Sequence, residues 1–227
     1  MKFIRHGKTK DVYSDDNGNV VLKFKDTVTG HASSGESDPG GNDVVGEKAG
    51  VGSAALGMTV YFFEALKKLK VPTHYVGSDL SQNLLTVKPA KIFGKGLEFV
   101  VRYKAAGSFI RRFGDFATEG QKLNSVYEVT LKDDARNDPV CSTQILVELG
   151  LATEKQLKEA ESLTLKVCDF VRDDLAKKGL ELVDIKVEIA PDASGKVMLI
   201  DEISGGNMRV NKDGKQLDYI TLSGYYA

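Results

Sequence analysis

The chain has 227 residues, enough for one large domain or two small ones with a sizeable core. Its 31 Lys and Arg balance 32 Asp and Glu, so bulk charge offers no attraction for nucleic acid or an anionic membrane, and any bound anion must be held by local groups. No apolar stretch reaches the ~18 residues of a membrane span, no apolar run follows a basic start, and Cys141 and Cys168 lack CxxC spacing; this argues against a disulfide scaffold or zinc site and predicts a cytoplasmic protein without nucleic-acid or membrane partners.

In chain order, residues 1–26 read as two strand-like pieces around the turn signal at 15–19. In the first, Gly7-Lys8-Thr9-Lys10 sets two lysines beside a flexible glycine. That arrangement lays N–H groups and ammonium charges over phosphates, and it also occurs on solvated strands. Residues 27–45 are polar and glycine-rich with no period, which reads as a surface loop or a mobile lid. Residues 47–70 are helical, with Ala54, Met58, Tyr61, Phe62, Ala65, Leu66 and Leu69 on the expected buried stripe and a stop at Val71-Pro72. Strands are expected at 73–76 and 84–89. A passage through 88–96 then separates two lobes, with the boundary at Lys88.

The next strand, 97–103, delivers Arg102 to a small-residue segment. There Ser108 with Arg102, Arg111 and Arg112 either binds a phosphate or forms an exposed basic turn. A strand at 126–131 leads to 132–139, whose acids either hold a cation or shape the loop. Helices follow at 142–149 and 153–178. The second opens with a Thr153/Gln156 capping box and buries Leu157, Ala160, Leu163, Val167, Phe170, Val171 and Leu175, with Cys168 structural.

Residues 183–189 alternate strictly: Val183, Ile185, Val187 and Ile189 share one face, Asp184, Lys186 and Glu188 the other. Turn formers at 191–196 make 197–203 the returning strand. Pairing Ala190 with Val197 sets Lys186 opposite Asp201 and on its face. Mg2+ takes oxygen ligands, one or two carboxylates together with nucleotide phosphates. Glu188 and Asp201, with Asp184 close by, fit that requirement, and Lys186 neutralises phosphate; a salt-bridged surface strand carries the same residue types.

Six segments in this order resemble the SAICAR synthetase family: GKTKDVY (7–13), FKD (24–26), VVRYKAAGSFIRRFG (100–114), LKDDARNDP (131–139), LVDIKVEIA (182–190) and DEISGGNMR (201–209). The resemblance implies an α+β fold in which a small, kinase-like antiparallel β lobe with one long helix (1–88) packs on an ATP-grasp-like α+β lobe (89–227), with the nucleotide between them. It implies an ATP-dependent ligase that uses ATP and Mg2+ to join 4-carboxy-5-aminoimidazole ribonucleotide to L-aspartate, as a monomer or a homodimer. By the same resemblance Lys8, Lys10 and Lys186 hold nucleotide phosphates, and Lys88 and Ile92 lie beside the adenine. Glu188 and Asp201 hold Mg2+, Arg102, Ser108 and Arg209 hold the ribonucleotide phosphate, and Lys186 and Asp184 are catalytic, Asp184 orienting substrate or metal. The chain departs from the family pattern at His31, at 48–53 where an asparagine pair is missing, at Tyr103, and at Gly205-Gly206 in place of Pro-Asp. These departures surround the ribonucleotide and aspartate pockets. They leave open a related ligase with another carboxylate or amine, or a nucleotide-binding homologue without turnover.

Overall fold

Gly7 splits what the sequence suggests is one strand. β1 (Lys2–His6) and β2 (Lys10–Ser14) pair antiparallel across it, and a Cβ at Gly7 would stand 2.5 Å from the Lys10 carbonyl oxygen, so the turn requires glycine. β3 (Val20–Phe24) returns through a turn in which Asp15 accepts from the N–H groups of Asn17 and Asn19. The N-terminal segment therefore holds three strands, not two. The computed structural model describes residues 1–31, 35–41 and 43–226.

Where an aperiodic loop is expected, β4 (Thr27–His31), β5 (Glu36–Ser37) and β6 (Asp43–Glu47) form a sheet in the order β5-β4-β6. Strands of two to five residues, two of them containing a glycine (Gly30 and Gly46), carry too little alternation to be recognised. Helix α1 (Val51–Lys68) buries Leu56, Met58, Phe62, Phe63 and Leu66, whereas Tyr61 and Leu69 are exposed. The stripe is thus rotated relative to the expected one, along 56, 59, 62, 63 and 66. β7 (Tyr75–Asp79) and β8 (Leu84–Val87) complete a five-stranded antiparallel sheet, β1-β2-β3-β8-β7.

The second large sheet is built from β9 (Leu97–Lys104), β10 (Lys122–Leu131), β11 (Val140–Cys141), β12 (Glu181–Pro191), β13 (Val197–Ile200), β14 (Met208–Lys212) and β15 (Lys215–Gln216). Its order is β11-β10-β9-β12-β14-β15, with β13 also on β12. Short helices α2 (Ser108–Phe113) and α3 (Thr143–Glu148) lie in its connections, α4 (Glu154–Lys177) covers one face, and α5 (Tyr219–Ser223) closes the described chain. The capping box of α4 is formed, and its stripe, including the fully buried Cys168, packs on Ile185, Val187 and Ile189. Each large apolar side chain buried there contributes roughly 1.5–3 kcal/mol.

The two sheets are stitched by backbone bonds. Leu199 N–H donates to Pro72 O (3.0 Å), His74 N–H to Leu199 O (2.9 Å) and Lys91 N–H to Pro191 O (2.8 Å). Buried apolar residues of both segments form one continuous core, and α5 packs on α1. With α4 on one face of the larger sheet, the charged row of β12 is left facing a cleft. Among the described residues no helix is long and apolar enough to cross a membrane.

Candidate active site

The cleft, about 680 Å³, is walled by the open face of β9, β12 and β14, by α2, and by the segment 38–41. At one end Arg102, Asp184 and Arg209 are direct cross-strand neighbours: Asp184 pairs with Arg102 of β9 on one side and Arg209 of β14 on the other. Both guanidiniums donate to the same oxygen, Asp184 Oδ2, at 2.8 and 2.7 Å. Arg102 also donates to Glu128 Oε2 (2.7 Å) and Ser108 Oγ (2.8 Å). Burial pushes the Asp184 carboxyl upward, against the pull of Arg209 and Arg102. Gly107 makes room for this row: at φ 55 its missing Cβ would lie 2.5 Å from Arg209 Nη2. Arg102, Ser108, Asp184 and Arg209, four of the expected site residues, are therefore one assembly able to grip an anion.

Two residues along the same face, Lys186 donates to Glu98 (2.8 Å), which accepts from Thr130 Oγ1 (3.0 Å). Glu98 and Glu188 are directly opposite each other on β9 and β12, an unfavourable like-charge pair. It is tolerated because Lys186 bonds one carboxylate and Lys132 the other.

Beyond this pair lies the lysine end. The expected register is one residue off: Ala190 pairs with Met198 and Pro191 with Val197, and β13 stops at Ile200. Lys186 is therefore not opposite Asp201. Instead Asp201 takes a left-handed conformation, φ 64. In a regular strand consecutive side chains point to opposite faces, but here Asp201 and Glu202 both reach Lys10, which crosses from the smaller sheet: Asp201 Oδ1 at 3.1 Å and Glu202 in direct hydrogen bond. Burial opposes the charge on Lys10, yet Asp201 and Glu202 hold its pKa above the usual lysine range. Lys132 behaves alike beside Glu188 and Asp201. Burial and the neighbouring Asp201 push Glu188 up, while Lys10 and Lys132 overcome burial to hold Asp201 down. His74, buried with its Nε2 3.3 Å from the Asp201 carbonyl, is held down at about 4 by burial.

Of the remaining expected residues, Lys8 reaches Asp134 at 2.7 Å, joining the smaller sheet to the loop after β10. Lys88 and Ile92 are exposed in the crossing between the sheets, beside a small apolar cluster of Ala190, Met198, Ile200 and Ala90. His31's side chain lies outside the described residues. At the Gly205-Gly206 departure, Gly206 O accepts from Gly40 N–H (2.8 Å), Lys186 donates to Gly40 O (3.3 Å), and Asp38 pairs with Arg209 (2.6 Å). The segment 38–41 is thereby tied into the cleft.

Sequence reasoning does not select Glu98, Glu128, Lys132, Glu202, His74 or Asp38. Glu98 carries a legible signal, an acid four residues before Arg102 on an otherwise apolar strand. Asp38 carries none. Among the described residues no cluster of three or more His, Cys, Asp or Glu forms a metal site. The pair Glu188 and Asp201, half-buried, with Asp201 raising the cost of charging Glu188, fits a hard cation that draws its other ligands from phosphates and water.

Solved SAICAR synthetases share this fold. The enzyme from Pyrococcus horikoshii OT3 is 30% identical with a TM-score of 0.79, over 92% of this chain and 87% of that one. A type-2 SAICAR synthetase in complex with ADP is 29% identical with a TM-score of 0.83, over 98% and 91%. The class is that of ATP-dependent ligases. The SAICAR synthetase family model matches residues 3–219, and a phosphoribosylaminoimidazole-succinocarboxamide synthase from Clostridium tetani is 49% identical over 98% of this chain and 97% of its own length. The chain belongs to the SAICAR synthetase family, ligases of purine biosynthesis.

Proposed function

We propose that this protein joins the carboxylate of 4-carboxy-5-aminoimidazole ribonucleotide to the amine of L-aspartate at the expense of ATP. The observation that carries the reading is the layout of a single sheet face: an anion grip at Arg102, Asp184 and Arg209, then Lys186, then the carboxylates and lysines around Glu188 and Asp201. The ribonucleotide phosphate occupies the arginine end with Ser108, and the ATP phosphates occupy the lysine end with Lys8, Lys10, Lys132 and Lys186. The reacting carboxylate then falls between the two. One of its oxygens takes the γ-phosphoryl group and ADP leaves. The aspartate amine forms a C–N bond to the acyl carbon, the C–O bond to phosphate breaks, and the amine gives up a proton. Such a transfer needs positioning and charge neutralisation more than covalent help, and these lysines, with Lys10 and Lys132 holding their protons firmly, supply both. Glu188 and Asp201 would hold Mg2+, which neutralises nucleotide phosphates when bound. Adenine lies beside 88–92, at the join of an N-terminal lobe (1–88) and a C-terminal lobe (89–227).

ADP release measured with Mg-ATP, the ribonucleotide and L-aspartate, omitting each in turn, tests this reading. Release that requires all three is expected. Release indifferent to aspartate would instead favour a ligase with another amine, and nucleotide binding without release a homologue lacking turnover. The reading extends to a cytoplasmic enzyme, and light scattering decides between monomer and homodimer.

A further inference from the structure

The left-handed turn at Asp201 is what lets two consecutive carboxylates converge on Lys10, and a non-glycine residue holds that conformation only against a steric cost. One side chain outside the charged cluster grips that turn. His74 Nε2 stands 3.3 Å from the Asp201 carbonyl oxygen, and the backbone of His74 is fixed on both sides, donating to Leu199 O and accepting from Lys88 N–H at 2.7 Å. Its ring is buried and packs edge-on against Phe63 at 5.6 Å. With Thr73 bridged parallel to Leu199, the segment 72–74 runs beside β13, which stops at Ile200, the residue before Asp201. The hydrogen bond of the ring goes to a backbone carbonyl, with Asp201, Lys10 and Lys88 as its charged neighbours. It acts on the carbonyl of the residue whose backbone is unusual.

We infer that His74 is a positioning residue for phosphoryl transfer: its ring N–H holds the Asp201 carbonyl, keeping Asp201 left-handed and its carboxylate directed at Lys10 and the nucleotide end of the cleft. This rests on the reading of Asp201 as a carboxylate of that end. Without the bond the turn relaxes toward negative φ, and the Asp201 side chain swings away from Lys10 while the arginine row, held by sheet register and by its bonds to Glu128, Ser108 and Asp38, stays in place.

The test compares His74→Leu, which keeps an apolar side chain but no donor, with His74→Gln, whose amide N–H reaches about as far from Cα as Nε2. Full-length enzyme is assayed for ADP release across a Mg2+ titration, with thermal melts to verify folding. For H74L, kcat should fall and the Mg2+ half-saturation should rise, each roughly five- to tenfold, as expected for loss of one hydrogen bond. The ribonucleotide KM should stay within about twofold. H74Q should restore most of the loss. The inference is overturned if H74L matches wild type, if H74Q is as impaired as H74L, or if the loss appears in the ribonucleotide KM. Should H74L fail to fold, His74→Met carries the same comparison. Asp201→Asn, run in parallel, separates the two readings: impaired D201N with unimpaired H74L rejects the role of His74 alone, whereas unimpaired D201N rejects both.

Discussion

The two ends of the cleft are built by different means. At the arginine end Arg102, Asp184 and Arg209 are neighbours across three adjacent strands, so ordinary register suffices to assemble them. At the lysine end Lys10 comes from the smaller sheet, Lys132 from the loop after β10, and Asp201 and Glu202 share a direction because the backbone turns left-handed. The difference teaches which end depends on how the two sheets sit together. The arginine row lies in one sheet, with Asp38 of segment 38–41 bonded to Arg209, whereas the lysine end draws its groups from both large sheets.

Isosteric loss of charge at the lysine end should break this comparison open most widely. Glu188→Gln or Asp201→Asn is expected to lower kcat on the order of a thousandfold, with the ribonucleotide KM nearly unchanged, read from steady-state ADP release. Normal Mg2+-dependent turnover in both variants would remove phosphoryl transfer from that end.

A second effect concerns folding of the free protein. His74 has its pKa depressed to about 4 in the fold against an ordinary 6.5, so between those values the unfolded chain binds a proton that the folded chain does not. Stability is then fully present above about pH 6.5 and is lost as pH falls toward 4, by up to roughly 3 kcal/mol. Denaturant melts of wild type and His74→Gln over that window should show the variant's profile to be flatter. Parallel profiles would show that His74 titrates normally.

At the arginine end, Arg209→Ala removes one of two guanidiniums from Asp184 and takes away the ion pair that Arg209 makes with Asp38. The ribonucleotide KM should rise about tenfold to a hundredfold with the ATP KM unchanged, the size of a charge-assisted hydrogen bond. A change confined to ATP would contradict the division of the cleft. Gly107→Ala should act in the same direction but more weakly, raising the ribonucleotide KM by roughly fivefold. The new methyl meets the movable end of Arg209, and φ 55 with ψ -126 is backbone that L side chains rarely adopt, at a cost of roughly 1–3 kcal/mol. An unchanged KM would mean that Arg209 is not held where the substrate binds.

Much of this protein is determined by its sequence alone. The alternation of 183–189 assigned the core and charged faces of β12 correctly, the capping box marked the start of α4, and the ordered segments from Gly7 to Arg209 identified the family, because these signals depend on neighbours a few residues apart. The tertiary structure alone decided the rest. It set the register that puts Met198 against Ala190, the sheet within 27–47, the rotated stripe of α1, and the convergence of Lys10, Asp201 and Glu202 under the grip of His74. Each of these joins residues far apart in the chain or rests on one backbone angle. Such information arises only when the second sheet supplies the partners that make an otherwise costly conformation the stable one.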